Sequence, residues 1–218
     1  MSDTLSPVRA KSKRERTRDG LVAAAEILFA ARGPDAVSID EITAAAEVAK
    51  GTFYTHFSDK DDLERALASL VRLELEGDVA RVNNGIDDAG VRMANGLACY
   101  LGFAARQPTR ARTLLRLQSA GADPQGPMNE GVRSDVKLGA DSGRFEVVSV
   151  NAAVLIALGA CLAGIAYSVQ APGSRAQRTA GEIIATVLRA FGLKAAESRK
   201  LAETAVAAAF GKTGGNGK

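Results

Sequence analysis

The stretch AKGTFYTHFSDK, residues 49–60, concentrates side chains that can do chemistry. It contains His56, the only histidine among 218 residues, together with Tyr54, Lys50 and two threonines. An imidazole in this company fits three kinds of site: the base of an enzyme, a metal ligand, or part of a surface that binds an anion. The choice among them depends on the elements that position these side chains.

An enzyme or a metal site has little support elsewhere in the chain. No serine-, cysteine- or acid-containing motif is placed to make His56 a base, and no second histidine is present to share a metal. The C-terminal GKTGGNGK looks like part of a phosphate-binding loop, but it lacks the upstream glycine spacing and a following helix. We therefore expect no catalytic residue, no metal ion and no cofactor. An imidazole that only caps or packs stays open as an alternative.

Charge is distributed unevenly along the chain. The net charge of +3 does not by itself indicate a polyanionic partner, yet six of the ten residues from Arg9 to Arg18 are basic. Because this run precedes the first apolar helix, we predict a solvated, disordered basic arm over residues 1–13. Residues 211–218 are expected to form a disordered tail.

The expected cellular location follows from the cysteines and the N-terminus. Cys99 and Cys161 lie in apolar surroundings without CxxC spacing, which is typical of small core residues in a reducing compartment. The N-terminus is polar and then basic, with no apolar run before a small-residue cleavage site. These features favour the cytoplasm.

One segment argues for a different location. Between Glu146 and Arg175 the chain has no charged residue, and VVSVNAAVLIALGACLAGIAYSV is long enough to cross a bilayer as a helix. Asn151, the scattered glycines and alanines, and the lack of a second span or a basic juxtamembrane cluster argue against that reading. We expect no membrane association, and instead a helix that is buried on nearly all sides, partly by another subunit.

Apolar periodicity and capping residues predict an all-α chain. The first helix ends at about Arg32, and the motif SIDE opens a second helix over 38–46 as a capping box. A third helix covers 50–56, and a fourth begins at Ser58 and ends near Arg81. No strand pattern competes. Further helices are predicted at roughly 87–106, 109–119, 128–141, 144–170, 175–192 and 195–210.

The second and third helices explain the opening stretch. Two short helices that are joined by a tight turn and braced by a longer helix form a helix-turn-helix unit, whose second helix enters a major groove. With Phe53 and Phe57 turned inward, the polar side chains of the third helix face outward, where they can hydrogen-bond phosphate oxygens and base edges. The pattern therefore favours nucleic-acid contact, through Lys50, Thr52, Tyr54, Thr55 and His56.

The run SIDEITAAAEVAKGTFYTHFSDKDDLERAL closely resembles the N-terminal DNA-binding domain of the tetracycline-repressor (TetR) family of bacterial transcriptional regulators. GTFYTHFSDKDDL is its most specific part, and the resemblance covers about residues 14–70. It implies a homodimer with a helix-turn-helix domain over 14–62 and a ligand-binding and dimerisation domain over 63–210. It also implies that a small-molecule effector lowers the affinity for operator DNA.

Family roles carry over onto the matching positions. Thr52, Tyr54 and His56 match recognition-helix residues that contact bases or phosphates, and Lys50 occupies a variable position that often reads bases. Ser38 and Lys60 match phosphate contacts at the starts of the second and fourth helices. The set that the resemblance places on double-stranded operator DNA is Ser38, Lys50, Gly51, Thr52, Tyr54, Thr55, His56 and Lys60.

Two positions depart from the family pattern. Glu47 stands where the family usually has glycine in the turn, so it has to tolerate a positive φ at a cost of about 1 kcal/mol. Ala49 replaces the usual serine or threonine ahead of the third helix, which removes a cap worth about 1 kcal/mol and one phosphate-contacting hydroxyl. We expect a slightly looser recognition helix.

The helices of the C-terminal half supply candidates for a mainly apolar effector pocket. Most of them would serve equally well as plain core, but Tyr100, Gln118 and Asn151 add polar tips that can orient a ligand. The loop from Gly121 to Pro127 is a candidate entrance. With no carboxylate in the set, we expect a neutral or weakly anionic, aromatic or lipid-like effector. The candidates are Met93, Leu97, Tyr100, Phe103, Leu114, Leu117, Gln118, Met128 and Asn151.

The helices at 144–170 and 175–192 are predicted to form the homodimer. Small residues on the first helix would let backbones approach closely, and an apolar stripe on the second would face them. Two-fold symmetry then presents two recognition helices, which calls for a palindromic operator. The small residues are Gly159, Ala160, Ala163 and Gly164, and the stripe is Ile183, Ile184, Val187, Leu188 and Phe191.

Two functions stay open at this point. One is a ligand-responsive transcriptional repressor, and the other is an enzyme or small-molecule carrier that retains a helix-turn-helix fold. The single histidine and the absence of a glycine-rich nucleotide loop favour the repressor.

Overall fold

The structure is a computed structural model of the chain and describes residues 11–115, 125–126, 129–171 and 173–211. Within these ranges the regular elements are ten α-helices and one short 3-10 turn, so the all-α prediction is confirmed. The helices are α1 Lys13–Arg32, α2 Ile39–Ala45, α3 Lys50–Tyr54, α4 Lys60–Val82, α5 Ala89–Arg106, α6 Pro108–Leu115, α7 Glu130–Asp141, α8 Val150–Ser168, α9 Gly173–Ala190 and α10 Ala195–Phe210, and the 3-10 turn is Pro34–Ala36.

The chain divides into two compact units, Met1–Leu67 and Ala68–Lys218, and the division falls inside α4. In the first unit α1 packs against α2, and α2 against α3. Its core contains large side chains that are almost completely buried, namely Leu21, Phe29, Ile42, Phe53, Phe57 and Leu63.

Helix α1 begins within the segment that the sequence assigns to a basic arm. Ser12 caps the helix: its hydroxyl accepts from the Glu15 backbone N–H at 3.2 Å, and the Glu15 carboxylate accepts from the Ser12 N–H at 2.6 Å. Two of the basic side chains have partners in the same unit. Lys11 forms an ion pair with Asp19 at 2.6 Å, and the Arg18 guanidinium lies over the Phe57 ring.

The turn between α2 and α3 has the backbone hydrogen-bond pattern with which helices commonly end at a glycine. The Glu47 N–H donates to the Ala44 carbonyl at 3.1 Å, and the Val48 N–H reaches back to Thr43 at 3.0 Å. Glu47 adopts φ 54°, which confirms the positive φ expected at this position. Ala49, which precedes α3, provides no side-chain cap for this helix, also as expected.

In the second unit α5 is the central helix. It contacts α6, α7, α8, α9 and α10, and α9 also packs along α10. Residues of α5 such as Met93, Leu97 and Leu101 are almost fully buried, which agrees with their apolar spacing. This helix therefore connects most of the elements that could enclose a ligand.

The helix predicted over 144–170 is shorter in the structure and begins only after Ser149, which caps it. Phe145 turns inward instead: its ring centroid lies 5.2 Å from that of Phe191. The ring also lies so close to Gly139 that a Cβ atom there would come within 2.1 Å of it. The helix begins late because Phe145 packs into a space that Gly139 of α7 leaves open.

Helix α8 is long and apolar enough to cross a membrane, with a mean hydropathy of 2.0. Only 28% of that apolar stretch is buried inside the single chain, so it is less enclosed than a helix of the protein core. Its exposed side chains include Leu155, Ile156 and Tyr167 at 47%, 48% and 40% exposure. The single chain therefore leaves part of α8 uncovered, and burial of that part by another subunit stays a prediction.

We predict that Glu47→Gly raises the free energy of unfolding by about 1 kcal/mol, because glycine adopts the left-handed conformation without the Cβ clash. Glu47→Ala is the matched control, since it removes the same carboxylate but keeps the Cβ atom. Urea denaturation followed by circular dichroism measures both variants. Equal stability of the glycine and alanine variants would show that the turn is unstrained.

Candidate functional sites

The first candidate site is the outer surface of α3 together with the start of α2. Tyr54 is 53% exposed, and its ring meets the buried Phe53 ring edge-on at 5.4 Å. The Lys50 ammonium lies 2.8 Å from the Asp40 carboxylate, and this hydrogen bond raises the pKa of Lys50. The surface thus presents an ammonium on the first residue of α3 and a phenol on its last residue.

Two side chains that the resemblance places on phosphates have partners inside the unit. The Ser38 hydroxyl caps α2 by accepting from the Glu41 N–H at 3.2 Å, and the Ser38 N–H in turn holds the pKa of Glu41 at about 2. The Lys60 ammonium donates to the carbonyl oxygens of Pro34 at 2.9 Å and Val37 at 3.3 Å. An ammonium has three donors, so one remains for a further acceptor.

Thr55 and His56 lie in the turn that follows α3, although the sequence predicts a helix through residue 56. The Thr55 hydroxyl donates to the Thr52 carbonyl at 2.7 Å, and the His56 backbone N–H donates to Phe53 at 2.9 Å. His56 and Thr52 are half-buried. The helix ends early because the chain has to turn to bury Phe57, which is 2% exposed.

Gly51 is exposed at the second position of α3, and a Cβ atom there would meet nothing within 4 Å. Its φ is not positive, because the positive-φ glycines of the described ranges are at other positions. Glycine costs up to about 1 kcal/mol relative to alanine in a helix. Nothing in the described chain requires glycine here, and the backbone at Gly51 is open to close approach from outside.

The second candidate site is a cavity of about 200 Å³ inside the second unit. Helices α4, α5, α7 and α8 supply most of its wall, and α6 contributes Leu114. The apolar part of the wall is Val79, Ala80, Met93, Leu97, Leu114, Val132, Ala157, Leu158, Leu162 and Ile165. The size is that of a small aromatic molecule, since an apolar cavity of about 150 Å³ is large enough for benzene.

One polar cluster in the wall is built around Tyr100. Its hydroxyl donates to the Glu76 carboxylate at 2.6 Å, and Arg72 lies 3.7 Å from the same oxygen atom. Arg72 also donates to the Asn129 side-chain oxygen at 2.8 Å. Burial, reinforced by the neighbouring Glu76, raises the pKa of Tyr100 well above its usual range, so its hydroxyl stays protonated. Burial also raises the pKa of the nearby Cys161 thiol to about 12.

A second polar cluster in the wall is built around Asp135. Its carboxylate accepts from Arg92 Nε at 2.6 Å, and burial raises the pKa of Asp135 against the opposing effect of Arg92. The Arg92 guanidinium also donates to the Asn83 and Ile86 carbonyls, each at 3.2 Å. Both carboxylates of the cavity therefore have an arginine partner, and the wall carries no unbalanced charge from these pairs.

The structure brings four of the nine predicted effector residues together around this cavity, namely Met93, Leu97, Tyr100 and Leu114. Phe103 is buried elsewhere, under the Arg110 guanidinium, whose carbon lies 5.7 Å from the ring centroid. Asn151 is exposed in the first turn of α8, so its proposed place in a buried site is wrong. The remaining candidates, Leu117, Gln118 and Met128, lie outside the described residues, as does most of the Gly121–Pro127 loop.

Sequence reasoning missed the charged residues of the wall. The premise that the pocket contains no carboxylate is wrong, because Glu76 and Asp135 both line it. A signal was present on α4: Arg72 and Glu76 are four residues apart, which places them on one helical face. Charged residues on helices usually face solvent, so only the packing of α4 shows that this face is turned inward.

The predicted dimer surface needs a correction on α9. Ile184, Val187, Leu188 and Phe191 are 3% exposed or less within the single chain, so they cannot also face a partner. On α8, a Cβ atom at Gly164 would lie 2.5 Å from a Leu101 side-chain carbon of the same chain. The exposed apolar face of α8 keeps Gly159 and Ala163 of the predicted set and is otherwise formed by Ala152, Leu155, Ile156 and Tyr167.

Comparison with known proteins gives two family matches. Residues 21–67 match the model of bacterial regulatory proteins of the tetR family. Residues 87–204 match a model described as the tetracyclin repressor-like C-terminal domain. A curated relative, the transposon Tn10 TetC protein of Escherichia coli, is 53% identical over 47 residues. That match covers 22% of this chain and only 24% of the relative.

Solved structures resemble the chain over most of its length. RolR in complex with the ligand resorcinol is 29% identical with a TM-score of 0.64, and the match covers 87% of this chain and 94% of RolR. A TetR-family transcriptional regulator from Pectobacterium atrosepticum is 22% identical with a TM-score of 0.68. The match covers 85% of this chain and 99% of the regulator's chain, and at this identity it shows the fold alone. Because the C-terminal model alone covers more than half of the chain and the N-terminal model covers α2 and α3, the protein belongs to the TetR family of bacterial transcriptional regulators.

Proposed function

We propose that the protein is a repressor that binds a palindromic operator as a homodimer and is released from it by a small, neutral effector. The observation that carries the DNA-binding part is the surface of α3. There Tyr54 and Lys50 are exposed, and Gly51 leaves the backbone open to close approach. Phosphate oxygens and base edges are the acceptors that such a surface fits. The cytoplasm is the compartment in which this activity is expected.

The sensing part rests on the cavity of the second unit. A ligand pocket typically has an apolar wall with a few polar groups that fix orientation, and this cavity has both. Since each carboxylate in its wall has an arginine partner, an uncharged ligand leaves the balance of charge intact. RolR has been crystallised with resorcinol, a small neutral aromatic. A compound of this class fits a cavity of about 200 Å³, and we propose it as the effector class.

Release from DNA requires a difference in ligand affinity between two conformations. A ligand that lowers operator affinity a hundredfold has to favour the non-binding conformation by roughly 2.7 kcal/mol. An enzyme or carrier with the same fold would show turnover or ligand binding without sequence-selective DNA affinity. Gel-shift titrations with DNA from upstream of its own gene, with and without ligand, separate these cases.

The first test concerns Gly51. We predict that Gly51→Ala leaves the fold equally or more stable but weakens binding to the best DNA sequence about tenfold or more, because a Cβ atom intrudes on the contact with DNA. Gly20→Ala is the matched control, since Gly20 is also helical in the same unit with nothing within 4 Å of a Cβ atom. Fluorescence anisotropy measures DNA affinity and thermal melting measures stability. Equal DNA affinity of the two variants would contradict the role of Gly51.

The second test concerns the exposed face of α8. We predict that the wild type is a dimer at micromolar concentration and that Ile156→Glu makes it a monomer with weaker operator binding, because a buried charge opposes association. Leu138→Glu is the control, because Leu138 is similarly exposed but lies on α7. Light scattering after gel filtration gives the mass. A monomeric wild type would refute the dimer, and recovery only in detergent would support a membrane location instead.

The third test concerns the cavity. With resorcinol as the probe, we predict a rise in melting temperature and loss of DNA binding, and about tenfold weaker resorcinol binding in Tyr100→Phe. Tyr54→Phe removes the same atom from an exposed tyrosine of the first unit and should bind resorcinol like the wild type. Benzylamine serves as a cationic comparison. Preferential binding of benzylamine, or thermal stabilisation without any change in DNA affinity, would contradict the proposed effector class.

A further inference from the structure

An ion pair joins the two helices of the helix-turn-helix unit at their N-terminal ends. Asp40 is the second residue of α2, and Lys50 is the first residue of α3. The Lys50 ammonium and the Asp40 carboxylate are 2.8 Å apart, and the two side chains are 57% and 66% exposed. The N-terminal residues of a recognition helix are the ones that reach base edges, so the pair lies where DNA is expected.

An acidic side chain in the first turn of α2 interacts favourably with the helix dipole, but neither this interaction nor DNA affinity explains its ion pair with Lys50. Exposed ion pairs contribute between zero and about 1 kcal/mol, and many contribute nothing measurable. A carboxylate close to DNA is repelled by the phosphates, so Asp40 on its own weakens binding to every sequence alike. Its effect on the position of the Lys50 ammonium is a separate physical consequence.

The carboxylate restricts where the ammonium of Lys50 can go. A lysine is a mobile point charge on a flexible stem, and next to DNA it is attracted to whichever phosphate is in reach. A phosphate contact carries no sequence information. Asp40 occupies one of the three ammonium donors, which leaves two donors for acceptors on a base edge. The O6 and N7 atoms of guanine offer two acceptors side by side in the major groove.

We propose that Asp40 is a specificity-determining positioning residue, which holds the Lys50 ammonium on a guanine of the operator and keeps it from the phosphate backbone. This inference rests on the proposed operator-binding function. It assigns a role to a residue on α2 that need not touch DNA itself. It also predicts the base that Lys50 reads, because a lysine tethered in this way fits guanine better than the other three bases.

The test starts from the DNA sequence that the wild type selects from a pool of randomised duplexes. Fluorescence anisotropy then measures affinity for this duplex and for duplexes with each base pair changed in turn. For Asp40→Asn and Asp40→Ala we expect tighter binding to an unselected duplex. Discrimination at one guanine should fall about fivefold, the upper end for an exposed ion pair. Circular dichroism verifies that both variants are folded.

Two further variants make the result specific. Asp19→Asn removes the acidic partner of the exposed Lys11 pair in the same unit, which is 2.6 Å long, and should leave the ranking of sequences unchanged. Lys50→Met should abolish discrimination at the same guanine, and adding Asp40→Asn to it should change the ranking no further. An Asp40→Asn variant that weakens or strengthens all sequences equally overturns the proposal. A change in ranking that persists beside Lys50→Met overturns it as well, because Asp40 would then read a base directly.

The outcomes also separate this inference from the proposed function. If the wild type enriches no sequence from the pool, operator binding itself fails. If the wild type is selective and Asp40→Asn is equally selective at every position, operator binding stands and only the role of Asp40 is refuted.

Discussion

The burial of Phe53 and Phe57 is the interaction on which the exposed surface of α3 depends. Helix α3 has five residues, and a helix of that length is unstable in water without tertiary support. The two rings are 2% exposed or less and lie 5.7 Å apart, so they anchor both the helix and the turn after it. The exposed positions of Lys50 and Tyr54 follow from this anchoring. The positive φ of Glu47 is the conformational cost of reversing the chain just before α3.

In the second unit the main constraint is the free-energy cost of burying charged side chains away from water. Glu76 and Asp135 line a cavity whose wall is otherwise mainly apolar, and each lies beside an arginine. An unpaired carboxylate at either place would be strongly unfavourable, so removing Arg72 or Arg92 would disturb more than one contact. The same pairing leaves polar atoms available to orient a ligand without requiring the ligand to carry charge.

Helix α8 has one side at the cavity and another side that is open to a partner subunit. One side of it closes the cavity, through residues such as Cys161 and Ile165, while the opposite side leaves Leu155 and Ile156 in solvent. Exposed apolar stripes of this kind on soluble proteins usually mark an interface. A partner subunit on this face would therefore rest against a helix that also forms part of the ligand cavity.

The sequence alone determined the helices and the polar surface of α3, because those signals are local. The capping box at Ser38, the spacing of Phe53 and Phe57, and the departure at Glu47 all act within a few residues, and the predicted helix boundaries agree with most of the structure. Only tertiary structure decided which faces of the long helices are buried. Apolar spacing on α9 is equally compatible with a core and with an interface, and charges on α4 are equally compatible with solvent and with a cavity. Packing of α9 against α5, α8 and α10 buries the Ile184 stripe inside the single chain. On α4, the hydrogen bond from Tyr100 shows that Glu76 faces the cavity.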